Sequence, residues 1–194
     1  MTSIVFNGSY ITKKNTGIGV VSKDLLYSFS ENKITTLIPK DIGIKGDIYI
    51  PNNLSPGSGL KSHFRRLYWL QNSVPKLMNN LNAEYFLSPL LEAPLFSNIK
   101  SIVLAHDLIP IRYPSISFLT LYHLIYVPLI LKQSKLILCN SISTANDLHK
   151  FYKVLIKGVG EISKSQNELK STFSDVKWAY ESVGVFDLIL FLCL

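Results

Sequence analysis

Short apolar runs alternate with stretches of helical spacing along most of this chain, and that alternation limits the fold more than any other feature. The runs "SIVFNGSYI", "TTLIPK", "DIYIPNN", "AEYFLSP", "SIVLAHD" and "KLILCNS" read as strands bounded by Gly, Pro and Asn. Between them, "GIGVVSKDLLYSFSEN" spaces Val20, Leu25, Leu26 and Phe29 as a helix does. Residues Ser62 to about Leu81 repeat the pattern, with Pro75 marking a break or a second helix start. "SISFLTLYHLIYVPLILKQS" reads as a largely buried helix, bent or interrupted near Pro128, and "ISTANDLHKFYK" as a helix capped by Ser141 or Ser143. Strands separated by helices imply a parallel sheet with helices on both faces. Residues 1–154 are therefore read as one Rossmann-like α/β domain. Residues 155–194 lose the alternation and read as an irregular C-terminal tail.

Bulk properties narrow the classes. The 194 residues suit one ordinary domain with a tail. With 47% hydrophobic and 17% charged residues, the chain has ample material for a core, which excludes disorder over most of its length. A formal net charge of +7 favours anionic partners such as phosphates, nucleic acid or an anionic membrane. Cys139 and Cys193 show no ligand or disulfide spacing, so a reducing, cytoplasmic setting is expected. The start carries no secretory pattern. Its longest apolar stretches, "LIYVPLIL" and "LILFLCL", fall short of the roughly 20 residues a membrane span needs, which leaves peripheral attachment open.

Three places could carry chemistry. The first is "NTGIG", where Gly17, Ile18 and Gly19 open a helix after the first strand. A glycine-lined helix N-terminus offers free N–H groups to a diphosphate, although a plain structural turn explains the same letters. It lacks the third glycine of a dinucleotide fingerprint, so a nicotinamide cofactor is not indicated. The second is His106-Asp107, at the end of the apolar run Ile102–Ala105. In open parallel sheets ligands bind at strand ends of this kind. There a histidine can donate to a sugar hydroxyl or phosphate, or act as acid or base, and Asp107 can orient it or brace the loop to Pro110. The third is "CNSIST", where Ser141 can bind a ligand or cap the next helix. "HFRRLYW" and "HKFYK" mix cations with aromatics, but fit helices that bury their rings and solvate their charges, so no nucleic-acid partner is expected. The four histidines are scattered, which argues against a metal site, and neither a nucleophile elbow nor a P-loop occurs.

Together the three segments resemble a known family. "NTGIGVVSKDLL", "SPLLEAPLFSNIKSIVLAHDLIPIRYP" and "LILKQSKLILCNSISTANDLHKFYKV" are similar, in order, to the N-terminal half of retaining GT-B glycosyltransferases of family 4, also called group 1. The resemblance implies an acceptor-side Rossmann-like domain in which Gly17 and Gly19 approach the donor diphosphate and His106 contacts the transferred sugar. Asp107 matches the motif. It implies transfer from a nucleotide sugar, as co-substrate and with no bound cofactor or required metal, to a glycan or lipid-linked acceptor, as in polysaccharide assembly. Peripheral contact with the inner face of a membrane would suit such acceptors.

The family's donor-binding domain would need roughly 150–200 further residues. Losing two of its charge-assisted phosphate bonds, at about 1.5–3 kcal/mol each, would weaken donor binding on the order of a hundred- to ten-thousand-fold. Transfer by this chain alone is therefore not expected, and the change of texture near Val154 reads as a truncated or frameshifted copy of a longer enzyme. The alternatives are a non-catalytic acceptor-binding module, half of a two-chain enzyme, and a basic nucleic-acid-binding domain.

Overall fold

The computed structural model describes residues 3–14, 16–28, 34–55 and 59–153. The tail expected over 155–194 lies outside them. Six strands form an all-parallel sheet: β1 (Ile4–Asn7), β2 (Ile34–Pro39), β3 (Ile48–Ile50), β4 (Tyr85–Ser88), β5 (Lys100–Ala105) and β6 (Leu136–Cys139), in the order β3-β2-β1-β4-β5-β6. Helices α1 (Gly17–Ser28), α2 (Leu60–Asn72), α3 (Val74–Asn80), α4 (Ile109–Arg112), α5 (Phe118–Gln133) and α6 (Ile142–Tyr152) alternate with them. The fold class is α/β and Rossmann-like, as the alternation predicts. The chain divides into two compact units, with the boundary between Ser101 and Ile102.

In the first unit, β1 is the hub. Ile4 registers with Ile34 of β2 on one side and with Tyr85 of β4 on the other, and Leu37 of β2 registers with Ile48 of β3. Every residue of β1 and β4 is buried, which is why these runs are continuous rather than alternating: a strand covered on both faces has no polar side. β3 is the outer strand and exposes Tyr49. Gly8 follows β1 and donates to the Leu37 carbonyl at 2.9 Å, so close that a Cβ there would lie 2.5 Å from that oxygen. Helices α2 and α3 part at Ser73 because Pro75, in the first turn of α3, has no N–H to extend α2.

In the second unit, Ile102 to Ala105 of β5 register with Leu136 to Cys139 of β6, and all eight of these residues are buried. Two expectations about α5 are sharpened by the structure. Of a bend or an interruption at Pro128, the interruption does not occur: the helix runs through Pro128, since an imino nitrogen costs one ladder bond and the neighbouring bonds still hold the turn. Nor is it largely buried: Leu119, Leu121, Leu124, Ile125 and Leu129 are exposed, while Tyr122, Val127, Ile130 and Leu131 face the core. From Leu119 to Leu131 the only strongly polar residues, Thr120 and His123, are buried, so the apolar residues around them give no periodic signal from which to read a wet face.

Candidate functional site

Gly17, Ile18 and Gly19 form the first turn of α1 in the first unit. Thr16 closes it, its hydroxyl accepting from the Gly19 N–H at 3.1 Å and its carbonyl from Val20 at 2.9 Å. This is an N-cap arrangement. The two glycines differ physically. A Cβ at Gly19 would come within 2.9 Å of the capping Thr16 hydroxyl, whereas a Cβ at Gly17 would meet nothing within 4 Å. Packing therefore accounts for Gly19 and leaves Gly17, which is exposed, as the open side of the turn.

His106, Asp107 and Ser141 lie in the second unit, where Thr144 links two of them. Asn140, just past β6, donates its backbone N–H to the Ala105 carbonyl at 3.3 Å. The Thr144 hydroxyl lies 3.0 Å from the His106 carbonyl and 3.1 Å from Asn140 Oδ1, so its single proton is shared between acceptors from both strand ends. Ser141 accepts from the Thr144 N–H at 3.1 Å and caps α6, which is one of the two roles its sequence position suggested. The fixed backbone leaves the His106 side chain half-buried at the C-terminal end of β5. Asp107 is exposed, and its Oδ1 accepts from the Ile109 N–H at 3.1 Å, bracing the loop into Pro110.

Scattered in sequence, the histidines left one neighbour unseen. His123 on α5 is buried edge-on against Tyr122, and burial lowers its pKa while the charge of Asp107 works in the opposite direction. His123 is thus neutral at pH 7 and within electrostatic reach of Asp107. Helical spacing placed it on α5, but nothing in the sequence linked it to the β5 loop. In the same unit, Arg112 of α4 pairs with Asp147 of α6 and reaches Ser143.

The sequence also concealed a charged cluster inside the first unit. Arg66 and Glu92, only 4% and 3% exposed, meet through two bonds, Nε to Oε2 at 2.7 Å and Nη2 to Oε1 at 2.8 Å. The Tyr10 hydroxyl donates to Glu92 Oε2 at 2.7 Å, and the guanidinium lies 5.0 Å from the Tyr10 ring centre. Arg66 Nη1 also donates to the Leu54 carbonyl at 3.0 Å. Burial pushes the Glu92 carboxyl up, but the bonds and charge of Arg66, with the nearby His63 and the Tyr10 hydroxyl, overcome it and hold the group below its ordinary value. Burial and the adjoining carboxylate drive the Tyr10 phenol up. Burial lowers His63, so near neutral pH its Nδ1, 3.1 Å from Arg66 Nη2, accepts from the guanidinium. The 3.5 Å approach of that nitrogen to Glu92 is then no ion pair.

This cluster overturns the expected reading of "HFRRLYW". Rings were to be buried and charges solvated, yet Phe64 and Tyr68 are exposed and Arg66 is inside, while Trp69 and Arg65 behave as expected. The buried carboxylate draws the arginine inward, and the helical period then turns Phe64 and Tyr68 out.

Among the described residues, no group of three or more His, Cys, Asp or Glu side chains could hold a metal ion. Compared with known proteins, the chain matches no family model and no curated sequence. The class that can be stated is therefore that of its fold, an α/β Rossmann-like protein with polar loops at the C-terminal ends of parallel strands.

Proposed function

We propose that the described residues are the acceptor side of a retaining glycosyltransferase of GT-B type, acting on a nucleotide sugar and a glycan or lipid-linked acceptor. The observation that supports this reading best is the braced end of β5. There, Asn140 holds the Ala105 carbonyl, Thr144 holds the His106 carbonyl and Asp107 braces the loop that follows, while the His106 side chain stays half-buried. A histidine so held suits the orientation of a sugar, because a rigid donor loses little freedom on binding. In this reading His106 contacts the transferred sugar. The amides of Gly17 and Ile18, at the open N-terminal turn of α1, receive a diphosphate oxygen. Asp107 holds the loop, and Ser141 caps α6. The nucleotide would be gripped by a further domain, in the same chain or another. A lipid-linked acceptor would bring the protein to the cytoplasmic face of a membrane.

One observation favours the non-catalytic acceptor-binding alternative: the Asp107 carboxylate is already engaged by the Ile109 N–H, which suits bracing better than proton transfer. An assay of sugar transfer with a supplied donor domain separates the two. His106→Ala is expected to abolish most transfer while the fold survives. Unchanged transfer would remove His106 from the site, and acceptor binding without transfer in the parent chain would favour the binding module.

A further inference from the structure

Helix α2 presents an outer face that the core does not use. Leu60, Phe64 and Tyr68 fall on one line at four-residue steps, and all three are exposed. Gln71 continues that line and grips the loop after β4, donating to the Ala93 carbonyl at 3.1 Å and accepting from the Leu95 N–H at 2.7 Å. Phe96 follows directly, 91% exposed and in the left-handed region at φ 55°, where a bulky side chain is rarely found. A costly backbone conformation that holds a phenylalanine out in water points to function rather than packing.

Beside the rings runs a line of cations. Lys61 and Arg65, also four residues apart, are exposed, and Arg65 donates from one of its nitrogens to the Asn53 carbonyl at 3.4 Å. From Ile48 to Ala83 the sequence contains no Asp or Glu. The two carboxylates that follow are taken, Glu84 by Lys100 and Glu92 by the buried Arg66. Among the described residues no carboxylate pairs with Lys61, Arg65 or, on α3, the exposed Lys76.

We propose that this face of α2 binds a single-stranded nucleic acid, with bases stacked on Phe64, Tyr68 and Phe96 and phosphates meeting Lys61 and Arg65. The ground for expecting no such partner was that the rings would be buried, and they are not. Spacing selects the strand. Positions four apart on a helix rise about 6 Å, close to two base-stacking steps of about 3.4 Å each, so a base fits between successive rings while the cation line keeps pace with the phosphates. A second copy of the chain would set Lys61 and Arg65 against their own images, with no carboxylate in the segment to answer them. The proposal is independent of sugar transfer, since this face shares no residue with Gly17, Ile18 or His106.

The test is the fluorescence anisotropy of a labelled oligouridylate titrated with the full chain. Binding is expected, and to weaken as salt rises. Phe64→Ala and Tyr68→Ala should each weaken it about tenfold without altering circular dichroism, both rings being outside the core. Lys61→Gln should weaken it about fivefold and lower the slope of log affinity against log salt by about 0.7. Lys132→Gln, the same charge change in the second unit, should do neither, and a saturating uridine-diphosphate sugar should not displace the strand. No binding, ring variants that bind as well as the parent, or equal losses from Lys61→Gln and Lys132→Gln would overturn the proposal. Displacement by the sugar nucleotide would overturn it in favour of the loops of the preceding section. Tighter, ring-dependent binding of a polyuronate would overturn it in favour of an anionic glycan, and a dimer that Tyr68→Ala dissolves in favour of a second copy.

Discussion

Two regions of the molecule, the interior around Arg66 and the loops after β5 and β6, handle charged side chains in opposite ways. In the first, Arg66 and Glu92 are sealed away from water and satisfied by each other, by Tyr10 and by the Leu54 carbonyl. In the second, Arg112 and Asp147 pair near the surface, and Asp107 stands in solvent with one backbone partner. Burial, rather than residue type, sets what each can do. A buried pair is too costly to disturb and therefore fixes structure, whereas a solvated carboxylate such as Asp107 braces its loop with little at stake for the fold. The contrast places structural charge on α2 and leaves the β5 loop as the candidate for chemistry.

The largest effect should come from breaking the sealed pair. Glu92→Ala strands the Arg66 guanidinium and is expected to cost about 3–5 kcal/mol in urea unfolding; a cost under about 1 kcal/mol would mean that water reaches the pair. Gly8→Ala is next, since its Cβ would press on the Leu37 carbonyl, at about 1–3 kcal/mol for forced overpacking. Tyr10→Phe removes one bond to a charged acceptor and should cost about 1.5–3 kcal/mol without changing the fold. Asp147→Asn, which breaks only the outer pair, should leave the unfolding midpoint within experimental scatter. A midpoint shift as large as that of Tyr10→Phe would erase the distinction between the two regions.

Acidity should divide the regions at one group, Glu92, since both contribute near neutral and at alkaline pH. His63 and His123 are lowered in the folded state, so the unfolded chain binds protons first as pH falls below 6.5, and stability declines from there. Glu92, held below 4.5, adds a second loss as pH falls further. At the alkaline end Tyr10, Tyr152 and Cys139 are raised, the last two to about 12, so stability is full below their ordinary values and declines as pH rises past 9.0 to 10.0. Thermal midpoints across pH should show a plateau between these limits. Replacing Glu92 with Gln should flatten the more acidic loss, and a profile unchanged by that substitution would contradict the assignment.

The sequence made the sheet legible because buried parallel strands are short apolar runs that little else imitates, and "SIVLA" and "LILC" are such runs. The cap at Ser141 was readable for a local reason, since a hydroxyl just before a helix has nearby N–H groups to accept from. What escaped was long-range. Glu92 lies in a loop 26 positions from Arg66, and only the fold brings them together. The same applies to His123 and Asp107. The exposed stripe of α5 was hidden by its own uniformity, because a run such as "LYHLIYVPLIL" has no polar side to betray which apolar residues face out.

The proposal stands or falls on whether a sugar nucleotide is contacted by His106 in the second unit and by the amides of Gly17 and Ile18 in the first. Its most direct test is a backbone-amide NMR titration of the full chain with uridine- and guanosine-diphosphate sugars. The expected result is selective shifts at Gly17, Ile18 and His106, with those at His106 lost when the free nucleoside diphosphate replaces the sugar nucleotide. Saturating concentrations of every sugar nucleotide that leave these amides unmoved would contradict the claim.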